Sequence, residues 1–436
     1  TASPSQNFIV SRDGNAWKAE PLEGPEGETL TILIADLNRD RHPDLMIGND
    51  YRPPDHLYMT DKNGELKRAR RNMVQGGTTR WTMSLATGDI DGDLIPEIYS
   101  GNISGRAEAS AREPEAECRY ETGAIKDDCI KNLAYFEPFS EARQQGNSLN
   151  CKDLNDDYFE QGCVLIAMTQ GVMRRGGTGP EIVGDLCERI PAQWPNFKRM
   201  CETRRSETLT ELTLEEKRST LISRMQSNVL LKRNPKNGRY QDIADQAGVA
   251  DGGWTWNARF ADIDNDADLD IYVVNGHAIA VNRYDDKLFE NKDGQFEEQA
   301  EAVGLASGTP ALAYTYIDFD RDGDLDVITL PIMGPAKVFE NKAAQNGTNS
   351  ISFELRDSGA NRYAIGAEVI IRYENGAQLR ELLLSGGYAS FDEPVLHFGL
   401  GDVETIDSVE IVWPDGTETI LETPLASNAH YRIRRN

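Results

Sequence analysis

The 436-residue sequence has no apolar run near the roughly 18 residues that a membrane-spanning helix needs. Basic side chains are scarce, with 46 Lys and Arg against 72 Asp and Glu, which leaves a formal charge of −26. A chain of that sign lacks the cations that nucleic-acid phosphates and anionic lipid surfaces demand, so neither is expected as a partner. Histidine is rare too. His42, His56, His277, His397 and His430 are scattered, with no pair at metal-ligand spacing. Also missing are the Gly-x-Ser-x-Gly elbow, the His-Glu-x-x-His helix, the phosphate-binding glycine loop and the dinucleotide fingerprint. No catalytic residue is assigned from the sequence.

Cysteine is absent outside one segment. Cys118, Cys129, Cys151, Cys163, Cys187 and Cys201 form three close pairs there, without Cys-x-x-Cys spacing. An even count confined to one irregular stretch reads as disulfides, with sequential pairing expected, formed in an oxidising compartment. That places the protein outside the cytosol: secreted, at the cell surface or periplasmic.

What the chain has in quantity is acid in a fixed pattern. Asp318, Asp320, Asp322 and Asp326 take positions one, three, five and nine of a loop whose sixth residue is Gly323. Hard oxygen donors at alternate positions of a tight loop suit Ca²⁺, which takes about six to eight of them. The seventh residue, Asp324, is placed to lend its backbone carbonyl. An EF-hand would have glutamate at position twelve, which here is Thr329, and the run Val327-Ile328-Thr329-Leu330 reads as a strand. This is a calcium loop between strands.

The pattern recurs three times. Asp262, Asp264, Asp266 and Asp270, with Asp268 seventh, precede Ile271-Tyr272-Val273-Val274. Asp89, Asp91, Asp93 and Glu97, with Ile95 seventh, precede Ile98-Tyr99. Asp36, Asn38, Asp40 and Asp44, with His42 seventh, precede Leu45-Met46-Ile47; Asn38 and the missing glycine make this copy the weakest. A hairpin follows each loop, at residues 56–64, 229–238, 287–294 and 337–342. A further hairpin over 7–20, turning at Asp13-Gly14, has no loop before it, so residue 1 falls partway through a unit. Loops lie 53 residues apart in the first pair and 56 in the last, and four short strands at such a period read as a propeller blade. A single Asp-rich loop reads equally well as a solvated turn. Four copies in register, each feeding an apolar strand, read as metal sites for three to four Ca²⁺ per chain.

Between the second and third loops the spacing jumps to 173 residues. The expected organisation is propeller over 1–102, a Cys-rich insertion over 103–227, propeller again over 228–345 and a small β domain over 346–436. The insertion carries a helix near 212–226, opened by the capping box Thr213-Leu-Glu-Glu216. In the last segment, Glu368-Val-Ile-Ile-Arg-Tyr and Val409-Glu-Ile-Val-Trp alternate as strands do.

These Asp loops and hairpins resemble FG-GAP/VCBS repeats, the blades of integrin-type β-propellers. Asn361-Arg-Tyr-Ala-Ile-Gly366-Ala367, Gly386-Gly-Tyr388-Ala-Ser390, His397-Phe-Gly-Leu-Gly401 and Trp413-Pro-Asp-Gly416 resemble the ASPIC/UnbV domain that follows such repeats in the cartilage acidic protein family. The resemblance implies an all-β fold: a calcium-binding propeller of integrin-like blades, with a disulfide-rich, partly helical insertion and a small C-terminal β domain. It implies calcium ligands at the four loops named above.

Three functional readings stand at this point. The leading one is a calcium-rigidified extracellular interaction module with a protein partner, within a surface assembly. The second is a carbohydrate-binding protein, for which only Trp256 and Tyr314 recur ahead of Asp loops. The third is an enzyme with its site in a propeller channel. Trp254 and Trp256 are expected to pack between blades, and His397 to be a satisfied structural histidine.

Overall fold

The computed structural model describes residues 6–14, 16–50, 54–79, 81–103, 224–225, 227–276, 285–332, 335–374, 376–384 and 387–435. All belong to one compact unit, drawn from Thr1–Glu108, Glu215–Gly276 and Tyr284–Asn436; a second unit, Ala109–Leu214 with His277–Arg283, lies outside them. The six cysteines, His277 and most of the expected helix therefore fall outside the described residues. The end of that helix does not: Arg224–Met225 is a strand, paired in parallel with Thr78–Thr79, because the neighbouring edge takes up its backbone groups.

Each Asp loop joins two neighbouring antiparallel strands of one sheet. The first sheet runs Glu28–Ala35, Asp44–Asp50, His56–Thr60, Leu66–Arg68. The second takes Thr82–Gly88 and Glu97–Asn102 from one side of the insertion, then Val229–Arg233 and Tyr240–Asp242 from the other, and adds Val74–Gln75 at its edge. The third runs Thr255–Ala261, Asp270–Asn275, Lys287–Lys292, Gln295–Glu298, and the fourth Ala311–Ile317, Asp326–Pro331, Lys337–Phe339. The second strands of the second and third sheets, Glu97–Asn102 and Asp270–Asn275, are buried at every residue, since strands flank both edges and packed side chains cover both faces. Hence their apolar runs do not alternate.

The first strand of the second sheet packs against those of the first and third sheets, and that of the third against that of the fourth. Among the described residues no closed ring is seen, so the propeller expectation narrows to an all-β row of four blade-like sheets. Two short helices, Ala244–Ala247 and Ala300–Val303, follow the second and third sheets, a repeated feature that the hairpin pattern did not show. The first hairpin pairs Phe8–Asp13 with Ala16–Pro21 as a separate two-stranded sheet. Asp13 faces Ala16, so its turn falls one residue later than expected.

The C-terminal segment forms two further main sheets. Asn349–Arg356 lies between Leu396–Gly401 and, in parallel, Ala429–Arg434; Glu368–Tyr373 lies between Gly376–Glu381 and Ser408–Val412, with Glu418–Leu421 beyond. Phe353, Val369, Ile371, Phe398, Val409 and Trp413 fill the core between them. On the other face of the same strands Glu354 and Glu368 are also buried, at 6% exposure each. Glu368 is covered by Arg39 of the first Asp loop, so the strand is enclosed on both faces from Glu368 to Ile371, and only its end at Arg372 is exposed.

Candidate metal centres

The four loops share one backbone frame. Positions four and six are left-handed in each: Arg39 and Arg41 (φ 64° and 70°), Gly92 and Leu94 (70° and 62°), Asn265 and Ala267 (59° and 85°), Arg321 and Gly323 (62° and 98°). Only the fourth loop has the glycine expected at position six, so the first loop is not singular in lacking it. A non-glycine residue held there costs on the order of 1 kcal/mol or more. The turn is kept because it aims the sixth N–H at the first carboxylate, from Arg41 to Asp36 (2.7 Å), Leu94 to Asp89 (3.0 Å), Ala267 to Asp262 (3.1 Å) and Gly323 to Asp318 (3.2 Å). The ninth carboxylate in turn accepts from the second residue, from Ile90 to Glu97 (3.2 Å), Ile263 to Asp270 (3.0 Å) and Phe319 to Asp326 (3.0 Å).

Within that frame the loops differ. Asp89, Asp91 and Glu97 bring carboxylate oxygens within 4.8 Å of one another, as do Asp262, Asp264 and Asp270, and Asp318, Asp320 and Asp326. In each trio the first aspartate keeps one buried oxygen, Oδ1, with no hydrogen-bond donor. A buried anionic oxygen without a donor is costly unless a cation meets it. The first loop gathers no such trio. Both oxygens of Asp36 accept backbone N–H groups, from Asp40 (3.1 Å) and Arg41 (2.7 Å), and the Asn38 amide donates to Asp44 (3.1 Å). The fifth carboxylates stand apart from the trios and accept the seventh N–H: Asp40 from His42, Asp93 from Ile95, Asp266 from Asp268 and Asp322 from Asp324. The Asp324 side chain is itself fully buried; it accepts from Ala344 N (3.0 Å) and leaves its other oxygen without a donor.

Burial raises these carboxyls, against the opposing pull of Arg380 on Asp262 and of Lys232 on Glu97. Asp262 and Asp270 lie well above the usual range, Asp266 and Asp324 are pushed up to about 6, Asp44 to about 7 and Glu97 to about 8, each chiefly by burial. Two residues missed from the sequence behave alike. Asp55 and Asp286, just before the third strands, accept the N–H of Asn49 (2.9 Å) and Asn275 (2.8 Å), and burial raises both to about 7. A carboxyl that holds its proton more tightly folded than unfolded stabilises the fold below its unfolded pKa, and that contribution is lost as pH rises through the folded value. In EDTA the protein should therefore melt higher at pH 5 than at pH 8, and saturating calcium should reverse the order. Calorimetry at the two pH values checks this.

The loops also tie the structure together. The carbonyl of the second residue is held by the following sheet: Leu37 O by Tyr240 Oη (3.0 Å), Ile90 O by Asn291 Nδ2 (2.9 Å) and Ile263 O by Asn341 Nδ2 (2.6 Å). The C-terminal strands rest on the loops directly. Glu368 pairs with Arg39 and Glu418 with Arg41, Glu381 accepts from Asp36 N (3.3 Å), and Gly401 N donates to Asn265 O (2.7 Å). His397 is the structural histidine expected: its Nε2 meets Asn265 Oδ1 at 2.7 Å, and burial lowers it to about 3. Trp256 is half-buried, and its ring meets Tyr388 of the C-terminal segment at 5.2 Å. Tyr314 is 2% exposed and donates to Tyr272 O (2.7 Å), a core position and no stacking platform.

A cavity of about 810 Å³ lies between the first strands of the sheets and the C-terminal segment. Its walls include Asp262, Arg259 and Arg380. Arg380 is buried near the carboxylates of Asp89, Asp262 and Asp268, and its guanidinium donates to Leu379 O (2.9 Å) and Gln378 Oε1 (2.9 Å). Arg259 pairs with Asp392 (2.6 Å). These cations neutralise loop and linker carboxylates.

Comparison with known proteins agrees with this architecture. An FG-GAP-like repeat model matches residues 7–100 and 220–273, and an ASPIC and UnbV model matches 357–436. Cartilage acidic protein 1 of Homo sapiens is 34% identical over 167 residues, 36% of this chain and 24% of that protein. The Mus musculus and Xenopus tropicalis proteins of the same name are 33% and 32% identical over 167 residues, in each case 36% of this chain and 25% of theirs. The match thus spans about a quarter of the length of these relatives. Among the described residues no helix is long and apolar enough to cross a membrane. The chain is a protein of FG-GAP-like repeats joined to an ASPIC and UnbV domain, similar to cartilage acidic protein 1 over about a third of its length.

Proposed function

We propose that the protein is a calcium-stabilised extracellular module whose role is to bind another protein. The observation that carries this is the buried, donor-less Oδ1 at the head of each carboxylate trio, at Asp89, Asp262 and Asp318. Ca²⁺ is the ion that all-oxygen loops of this charge and flexibility select, and its extracellular concentration suits weak loops. Asp262, Asp264 and Asp270, and Asp318, Asp320 and Asp326, are the ligand sets best formed for it. Each ion offsets mutual repulsion in its loop and stabilises the folded state by mass action. The clustered cysteines support the same compartment. A sugar platform has less support, because Tyr314 is buried and the half-buried Trp256 ring already meets Tyr388.

The test is elemental analysis of the purified protein with variants at two loops. Asp320→Ala should remove one Ca²⁺ per chain and lower the melting temperature in calcium buffer, while Asn38→Ala should leave the metal count unchanged. Protein that holds no calcium after dialysis against a millimolar solution would refute the reading.

A further inference from the structure

The third strand of each sheet passes the mouth of its Asp loop, and one residue on it is in register across the series. Tyr58, Leu231, Phe289 and Phe339 face the second residue of the second strand, at Leu45, Ile98, Ile271 and Val327. The next residue along is therefore equivalent in all four sheets: Met59, Lys232, Glu290 and Glu340. The third and fourth loops have an additional carboxylate there. The second has an ammonium.

That ammonium is inside the carboxylate group. Lys232 Nζ pairs with Asp91, and stands 3.3 Å from Glu97 Oε1 and 3.7 Å from Asp93 Oδ2. The loop is also rearranged around it. In the other three loops the second oxygen of the ninth carboxylate accepts a backbone N–H from the third strand or just beyond its end: Thr60 to Asp44 (2.7 Å), Asn291 to Asp270 (2.9 Å), Asn341 to Asp326 (2.8 Å). In the second loop the corresponding oxygen, Glu97 Oε1, faces Lys232 instead.

We infer that Lys232 is a built-in cation that takes the place of calcium in the second loop, so that the chain holds two tight ions, in the third and fourth loops. This rests on the calcium reading of those two loops. Four carboxylates against one ammonium leave the second loop with three formal negative charges, whereas five loop aspartates with Glu290 paired to Lys292, or with Glu340 paired to Lys342, leave the third and fourth loops with five each. A divalent ion entering the second loop must first expel the ammonium and is then repelled by it at short range. Hydrogen bonds from a compact ammonium with three donors suit a trio of carboxylates that a metal does not occupy. The first loop, closed by Asn38 and its own backbone, adds no ion.

Calcium titration by calorimetry, with metal counted after gel filtration, tests this on the full chain. The wild type should saturate at two tight Ca²⁺. Lys232→Met, the residue type at the equivalent place in the first sheet, should take up a third, and Lys232→Glu should bind that third ion at least tenfold more tightly than Lys232→Met. Adding Asp91→Ala to Lys232→Met should remove the gained ion and no other. Three tight ions in the wild type, or two in the wild type and in both lysine variants, would overturn the inference while leaving the calcium reading intact. No calcium in any variant would overturn both. Circular dichroism shows that the variants fold, and Lys232→Met keeps the test decisive if the glutamate variant does not.

Discussion

Chelating calcium should lower the melting temperature by about 8 °C. Two ions, each present at about a hundred times its dissociation constant, stabilise the folded state by about 2.7 kcal/mol apiece. With an unfolding entropy of about 2.1 cal/mol/K per residue, a unit of this size shifts by about 1.5 °C per kcal/mol, and the two ions together give that change. The loss should also have a direction. The third and fourth loops underlie the C-terminal strands through Asn265, which meets His397 and Gly401, and through Gly323, whose carbonyl accepts from Ser350. With the ions gone, the trios repel and their donor-less oxygens must find water, which opens the face on which those strands rest. Limited proteolysis in EDTA should therefore cut first near residues 343–349, the connection between the fourth sheet and the C-terminal strands. An unchanged melting profile in EDTA would count against calcium as a structural ion here.

Gly399→Ala should separate the C-terminal segment from the third loop. A Cβ at residue 399 would stand 2.1 Å from Asp262 Oδ2 and 2.6 Å from Asn265 Cα, inside any real contact distance. Neither side yields easily. Gly399 is paired with Ser350 in its sheet and its carbonyl accepts Gln378 Nε2 at 2.8 Å, while Asn265 is in a left-handed conformation at 0% exposure. Overpacking of this kind costs about 1–3 kcal/mol, and the upper end is expected because one of the atoms met is backbone. Since Asp262 is the oxygen displaced, calcium affinity at the third loop should fall about tenfold, which is about 1.4 kcal/mol. Gly359→Ala is the control, because its Cβ would meet nothing nearer than 3.8 Å. Equal melting temperatures and calcium isotherms for the two variants would show that the loop and the C-terminal strands are not mechanically joined.

The Asp loops are legible in the sequence because the geometry of such a loop is a local property. Alternate oxygens, a sharp turn and a following strand are all written within nine residues, and the frame of hydrogen bonds from the sixth and second N–H groups appears in the described geometry as that spacing requires. The turn at position six does not require glycine. Leu94 and Ala267 adopt the left-handed turn as Gly323 does, since the carboxylate they serve rewards the strained conformation. The Asn49–Asp55 and Asn275–Asp286 clasps, and the short helices ending at Gly248 and Gly304, also recur at equivalent places. They were open to a reading of the repeat that looked beyond its acid.

By itself the sequence determined the strands, the loops that join them, the interruption of the second sheet and the change of pattern after residue 346, because each depends on neighbours a few residues away. Only the tertiary structure decided which charges face each acidic loop. Lys232 lies 141 residues from Asp91 and reaches it because Val229–Arg233 pairs with Glu97–Asn102 across the insertion. Asn38 closes the first loop on Asp44, and Glu368, Glu381 and Glu418 reach that loop from the far end of the chain. Charge acts through space, so the sign of what fills each loop is set by strands that the spacing of its own aspartates does not mention.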